Sequence, residues 1–387
     1  MSGESFIVFG QPDLREEDFA AVEAALRSLW IGTGPRTQEF ERQIGRFVDA
    51  PYAIGVNSCT SALHLGLLLS GVGPGDEVVV PAMTFASTAN VVVHCGATPI
   101  FADVDRTTRC LTADGLEAAL SPRTKAAIPV HLAGYPCDLD ALEEVADRAG
   151  IALVVDAAHG LETQLRGRPV GGRGRATAYS FYVTKNITTA EGGMLTTSHR
   201  TIAERAGILN QHGLSTDAWS RYSDAKTRTY EVREPGYKYN LTDLQAALGL
   251  SQLARIEEAL ARRVELWERY DEAFADLPLE LPPIPAPSFG RSARHLYSPL
   301  LDLGRVPFSR EELRERLHER GIGTGVHFTA LHLHPYYRER SGLEPGALPV
   351  AELIGRTTFS LPLSPRLSDG EAGRVVDAVR AELAQYR

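Results

Sequence analysis

"IALVVDAAHG" (Ile151–Gly160) sets five apolar residues ahead of an acid, two alanines, a histidine and a glycine. A short apolar run closed by small and polar residues reads as a strand buried on both faces, as in a parallel sheet covered by helices. Asp156 then falls at the carboxyl end of that strand, the edge where open α/β sheets collect ligands. An unpaired buried carboxylate is costly, so Asp156 has either a specific cationic partner or a capping duty in the next turn. His159 can hydrogen-bond a ligand hydroxyl or cap its own loop.

Working outward, residues from about 50 to 200 alternate short apolar runs with helical patterns, the mark of a parallel α/β sheet. "YAIGV", "DEVVVP", "TPIFADV" and "TKAAIPV" read as strands, as do "RATAYSFY" and "GGMLTTS" further on. "SALHLGLLLS", "STANVVVHCG" and "DLDALEEVADRAG" read as helices between them, and "REEDFAAVEAALRSLW" and "RTQEFERQIGRFVD" as helices before them. After about 240, "LTDLQAALGLSQLARIEEALARRVELWERYDEAFADL" predicts one long helix. The Pro-rich "PLELPPIPAPSFG" reads as a surface linker, "HLYSPLLDL" as a strand, and "SREELRERLHERG" and "SDGEAGRVVDAVRAELAQ" as helices. The expected division is 1–240 for the N-terminal helices and large domain, and 241–387 for the linking helix and a smaller C-terminal α/β domain.

The chain of 387 residues carries a formal charge of −9, with no basic cluster interleaved with aromatics, which argues against nucleic acid as partner. No apolar run is long enough to span a membrane, and the N-terminus shows no signal-peptide pattern. The four cysteines, Cys59, Cys95, Cys110 and Cys137, stand far apart, which fits reduced thiols and a cytoplasmic protein. In "VHFTALHLHPYY", His327, His332 and His334 crowd together without a Cys or carboxylate at ligand spacing, so they read as ordinary or substrate-facing histidines, and no metal is expected.

Two further strand ends carry chemistry. Asn57-Ser58-Cys59-Thr60-Ser61 joins a strand to a helix, and the free N–H groups and hydroxyls of a helix start suit phosphate as well as plain capping. Lys185 follows the strand "ATAYSFY" and precedes the small-residue run "TTAEGG". Only Lys125, Lys185, Lys226 and Lys238 are lysine among 40 basic residues. Arginine serves for surface charge, whereas only a lysine amine can lose its proton and attack a carbonyl. A phosphate cradle, an acid for a pyridine nitrogen and a Schiff-base lysine together specify pyridoxal 5'-phosphate.

These segments resemble the DegT/DnrJ/EryC1/StrS family of sugar aminotransferases. The likeness runs through "WIGTGPRTQEFE", "GDEVVVPAMTFASTAN", "PIFADVD", "TKAAIPVHLAGYPCDLDAL", "VVDAAHG", "SFYVTKNITTAEGGM", "GYKYNLTDLQAALGLSQL" and "ERGIGTGVHF". It implies an α/β fold of the PLP-dependent transferase fold type I (aspartate aminotransferase-like), with a mostly parallel central sheet. By the resemblance Lys185 is the catalytic lysine, Asp156 pairs with the pyridinium nitrogen and His159 lies by the phenolic oxygen. Phe85 stacks on the ring, and Cys59, Thr60, Ser61 and Ser180 bind the phosphate. Asn240 reaches that phosphate from the other subunit of a homodimer. Thr33, in the segment Trp30–Thr33, and Lys238 and His327 meet the substrate. Many members have Asn where Lys238 stands and Arg where Asn240 stands, and Cys59 replaces a smaller residue.

"GYKYNLTD" and "GIGTGVHF" look most like the branch that aminates C4 of nucleotide-linked keto sugars. L-glutamate would be the donor, pyridoxamine 5'-phosphate the intermediate cofactor form, and a dTDP- or UDP-linked 4-keto sugar the acceptor. Rival readings are a C3-keto sugar or keto-cyclitol acceptor in an antibiotic pathway, and a non-catalytic regulatory homologue. The family's dehydratases carry His in place of the lysine, which Lys185 argues against.

Overall fold

The computed structural model describes residues 5–214 and 231–387. Helices α1 (Glu16–Arg27) and α2 (Pro35–Phe47) precede an alternating run: β1 (Tyr52–Val56), α3 (Cys59–Leu69), β2 (Glu77–Pro81), α4 (Ala86–His94), β3 (Thr98–Ala102), α5 (Ala113–Ala118), β4 (Thr124–Ala127), α6 (Leu139–Ala149) and β5 (Ala152–Asp156). The short β6 (Gln164–Leu165) and β7 (Arg168–Pro169) follow, then β8 (Ala176–Ser180), β9 (Gly193–Thr197) and α7 (Arg200–Leu209).

Seven of these strands form one sheet in the order β1-β9-β8-β5-β4-β2-β3. β9 is antiparallel to both neighbours, and the other pairings are parallel. Side-chain alternation splits each central strand between two cores. Val78, Val80 and Val154 point into the layer with Leu63, Leu65 and Val91, while Val79, Leu153 and Val155 join Leu116, Leu139 and Leu142 on the opposite face. Burial on both faces is why these strands are apolar runs and not alternating ones. Local signals close the helices: Ser58 caps α3 by accepting from Ser61 N–H, and Gly150 ends α6 at φ 66°.

Three of the elements expected in the C-terminal part take another form in the structure. The long helix is two, Asp243–Leu253 and Ile256–Phe274. No Gly or Pro marks the break; it lies at Arg255, whose guanidinium binds Asp18 and donates to the Asp13 carbonyl at 2.8 Å. The first piece packs on α1 and α2, and the second feeds a cluster built on Trp267, Tyr270, Phe274 and Tyr297. The "HLYSPLLDL" strand is reduced to Leu300–Leu301, because Pro299 has no N–H to extend a ladder. The supposed linker contributes to sheets at both ends: Leu279–Glu280 pairs with Leu300–Leu301, and Gly290–Arg291 with β6. Unforeseen helices are α5, α7, Pro335–Ser341 and Pro349–Thr357.

Candidate active site

The carboxyl ends of β1, β2, β5 and β8 and the start of β9 all lie on one edge of the sheet. There they wall a cavity of about 340 Å³. Ser58, Cys59 and Thr60 come from the turn into α3, and Thr84, Phe85 and Ser87 from the turn into α4. Asp156 and His159 follow β5, Ser180 and Lys185 follow β8, and His327 and Phe328 close the space from the C-terminal part. Eight of the residues expected from the sequence thus share one cavity: Lys185, Asp156, His159, Cys59, Thr60, Phe85, Ser180 and His327.

Ser61, Thr33, Lys238 and Asn240 do not line it. Ser61 is turned into the cap, its hydroxyl meeting Asn57 Oδ1 at 2.5 Å and Ser58 Oγ at 2.9 Å. Asn240 donates to Thr33 Oγ1 at 2.7 Å, and the Lys238 carbonyl accepts from Asn57 Nδ2 at 3.3 Å. Those three therefore gather beside the end of β1, behind the cavity's helix start. His332, third of the crowded histidines with His327 and His334, is buried with its Nε2 3.0 Å from Glu352. Among the described residues no cluster of His, Cys, Asp or Glu is arranged to hold a metal ion.

Asp156 is 4% exposed. Oδ1 accepts from the Ala158 N–H at 3.0 Å, with Cys59 Sγ at 3.9 Å, and Oδ2 accepts from Thr88 Oγ1 at 2.9 Å. Thr88 is held in turn by Thr84 Oγ1 at 2.8 Å. Burial raises the carboxyl's pKa, opposed by these donors and by the Lys185 amine. Among the described residues it has no ion-pair partner, so a cationic N–H in the cavity would complete it.

Lys185 makes no hydrogen bond or ion pair through Nζ to any described residue. Desolvation lowers its pKa to about 8, against the opposing charges of Cys59 and Asp156. His159 accepts from the Ala133 N–H through Nδ1 at 3.2 Å. Burial and the Lys185 charge push its pKa well down, so the ring is neutral and its proton sits on Nε2. His327 is lowered to about 4 by burial and by Lys185, and its Nδ1 lies 2.8 Å from Ser360 Oγ.

Cys59 and Thr60 supply the first N–H groups of α3, and neither finds an acceptor among the described residues, as expected of a helix start. The turn is tight because β9 passes directly beneath it: a Cβ on Gly193 would lie 2.4 Å from the Ser58 carbonyl carbon and 2.6 Å from Cys59 N. Phe85 is 59% exposed at the cavity mouth, with its ring 5.7 Å from that of Phe328. Thr88, Tyr182, Glu191 and Phe328 were not singled out from the sequence. Thr88 meets Asp156 across 68 residues of chain, a contact no local pattern announces.

The model of the DegT/DnrJ/EryC1/StrS aminotransferase family matches residues 12–380. The chain is 45% identical over 376 residues to SpsC of Bacillus subtilis, a spore coat polysaccharide biosynthesis protein, covering 97% of this chain and 96% of the other. Among solved structures it resembles the proposed sugar aminotransferase Spr1654 of Streptococcus pneumoniae in its PMP form, with a TM-score of 0.89, 35% identity and 97% and 98% of the two chains covered. DesV of S. venezuelae, solved with a ketimine intermediate, matches with a TM-score of 0.87, 34% identity and 98% and 99% coverage. The cavity's residues and these likenesses agree, and the chain belongs to the DegT/DnrJ/EryC1/StrS aminotransferase family.

Proposed function

We propose that the chain, with pyridoxal 5'-phosphate in the sheet-edge cavity, moves the amino group of L-glutamate to the C4 keto carbon of a nucleotide-linked (dTDP- or UDP-) sugar. The observation that carries this reading is Lys185, a desolvated lysine facing a buried acid and a neutral histidine in one cavity. When bound, the cofactor supplies an aldehyde that exchanges amino groups and a ring that takes up the electron pair released at the donor carbon.

The donor set fits such a group. The Cys59 and Thr60 N–H groups, with the Thr60 and Ser180 hydroxyls, would hold its phosphate at the positive end of α3. Asp156, lacking an ion-pair partner among the described residues, would keep the ring nitrogen protonated. His159 Nε2–H would donate to the ring hydroxyl, and Phe85 would cover the ring. Lys185 Nζ would hold the aldehyde carbon covalently. As a free neutral amine it would also take up and return the proton of the donor and acceptor carbons. An amine with a pKa near 8 has a sizeable neutral fraction at neutral pH, which that exchange needs.

Asn240 would reach the phosphate of a neighbouring subunit, with Thr33, Lys238 and His327 toward the sugar. This reading makes the enzyme a homodimer. A cytoplasmic setting is supported by the four free, buried cysteines. Among the described residues no helix is long and apolar enough to cross a membrane. The test is turnover with L-glutamate on dTDP- and UDP-linked 4-keto sugars, beside 3-keto sugars and keto-cyclitols. The reading predicts the highest kcat/KM on a 4-keto sugar nucleotide. Preference for a 3-keto sugar or a cyclitol would overturn the C4 assignment and leave the transaminase chemistry standing.

A further inference from the structure

Behind Lys185 the half-buried Asn186 joins a buried polar group, Glu162, Arg263 and His295, that the proposed chemistry does not use. Asn186, the next residue, donates through Nδ2 to Glu162 Oε2 at 2.7 Å and to the Ala293 carbonyl at 3.1 Å. Those two acceptors fix the amide's orientation, so Oδ1 accepts from His295 Nδ1 at 2.7 Å. Glu162 is 1% exposed and paired with Arg263, itself 2% exposed, on the helix Ile256–Phe274. His295 lays its ring against His159, centroids 4.4 Å apart.

The far side of this unit is rigid. Ala293 N–H and His295 N–H donate to the carbonyls of Gly134 and Ala133, each at 3.1 Å. Gly134, at φ 89°, allows that approach, since a Cβ there would sit 2.9 Å from the Ala293 Cβ. Arg263 Nε and Nη1 have no hydrogen-bond partner among the described residues. Arg263, Lys185 and Asn186 all line the same small cavity of about 30 Å³.

Resting on the reading of Lys185 as the reacting amine, we propose that Asn186 is a positioning residue. Clamped between Glu162 and the Ala293–His295 segment, it holds the Lys185 side chain in its desolvated place and sets the His159 ring beside it. Glu162 serves this clamp by presenting a buried acceptor oxygen to Asn186, whether or not it is charged. A surface ion pair could not do so, because water would compete for the carboxylate.

The test uses cofactor-free full-length protein and the pH dependence of labelling by trinitrobenzenesulfonate, read at Lys185 by peptide mass. The titratable groups coupled to the amine are Asp156, Cys59, His159, His295 and His327, all unchanged in the variants below, and Arg263, which walls a cavity with Lys185, is replaced only in the double variant. The wild-type midpoint is expected near 8. Asn186→Ala releases the amine toward water and should raise the midpoint by roughly one pH unit, back toward the ordinary lysine value of about 10.4. Asn186→Ser, which cannot span to Glu162, should move it the same way and serves if the alanine variant does not fold. The double variant Glu162→Gln with Arg263→Met keeps an acceptor for Asn186 while removing both charges, and should leave the midpoint within a few tenths of wild type. A midpoint unchanged in a folded Asn186 variant, or raised as far in the neutralised double variant, would overturn the proposal. Neither result depends on turnover, so failure here is distinct from failure of the transaminase reading.

Discussion

The C-terminal aromatic cluster is closed to water, whereas the sheet-edge cavity buries Asp156 and His159 but opens at Phe85, and burial does opposite work in the two. Around Trp267, Tyr270, Phe274 and Tyr297 it removes apolar surface from water, and the two hydroxyls are satisfied: Tyr270 donates to the Pro362 carbonyl at 3.0 Å and Tyr297 to Asp271 at 2.8 Å. In the cavity, burial falls on Lys185, Asp156, His159 and His327 and displaces their titration. One region converts desolvation into stability, and the other holds groups in protonation states that water would not favour.

The sharpest way to separate the regions is Lys185→Arg. Arginine keeps the charge but cannot supply a neutral amine, so turnover should fall by at least about 10⁴-fold while the melting transition stays near wild type. Steady-state assay with L-glutamate beside calorimetry reads both. The mirror experiment is Phe274→Ala, a fully buried ring. It should cost about 3–5 kcal/mol in denaturant unfolding, with kcat per folded molecule changed less than about twofold. A large kcat loss there would mean the two regions are coupled.

Asp156→Asn should lower kcat by roughly 10²–10³-fold, because the amide cannot stabilise a protonated ring nitrogen. Its stability should change little, since the amide oxygen can keep the Ala158 N–H while Thr88 Oγ1 turns to accept from the new amide N–H and donates to Thr84 Oγ1. The smallest expected effect is on cofactor-free protein. The Lys185 pKa is lowered from 10.5 to about 8, so the charged amine is disfavoured in the fold. At about 1.4 kcal/mol per pH unit, discounted for the side chain's partial exposure, Lys185→Met should stabilise by on the order of 1–3 kcal/mol at pH 7. Between about pH 8 and 10.5 the unfolded chain holds more protons at this site, so wild-type stability rises with pH there and the Met variant's advantage fades. Urea unfolding at pH 7 and pH 10 checks the sign.

What was legible in the sequence follows the same divide. The central strands were readable because burial on both faces makes "IALVVD" and "DEVVVP" continuous apolar runs. Lys185 and Asp156 were readable because residue type and strand-end position coincide. The clamp on Asn186 was not, since Glu162, Arg263 and His295 meet it from 24 to 109 residues away in the chain or through one another. The helix break at Arg255 was hidden because a tertiary contact with Asp18, with no glycine or proline, produces it. Pro299, by contrast, stood inside the expected strand and would have shortened it on a stricter reading.

The central claim is that Lys185 is the amine that holds and discharges the cofactor. The most direct measurement is the absorption spectrum of the protein supplied with pyridoxal 5'-phosphate, before and after L-glutamate, with Lys185→Arg as reference. The account predicts a yellow near-visible band in wild type that L-glutamate bleaches and a 4-keto sugar nucleotide restores, with no such band in the variant. A wild type that stays colourless with cofactor supplied, or a Lys185→Arg protein with the same band, would contradict it.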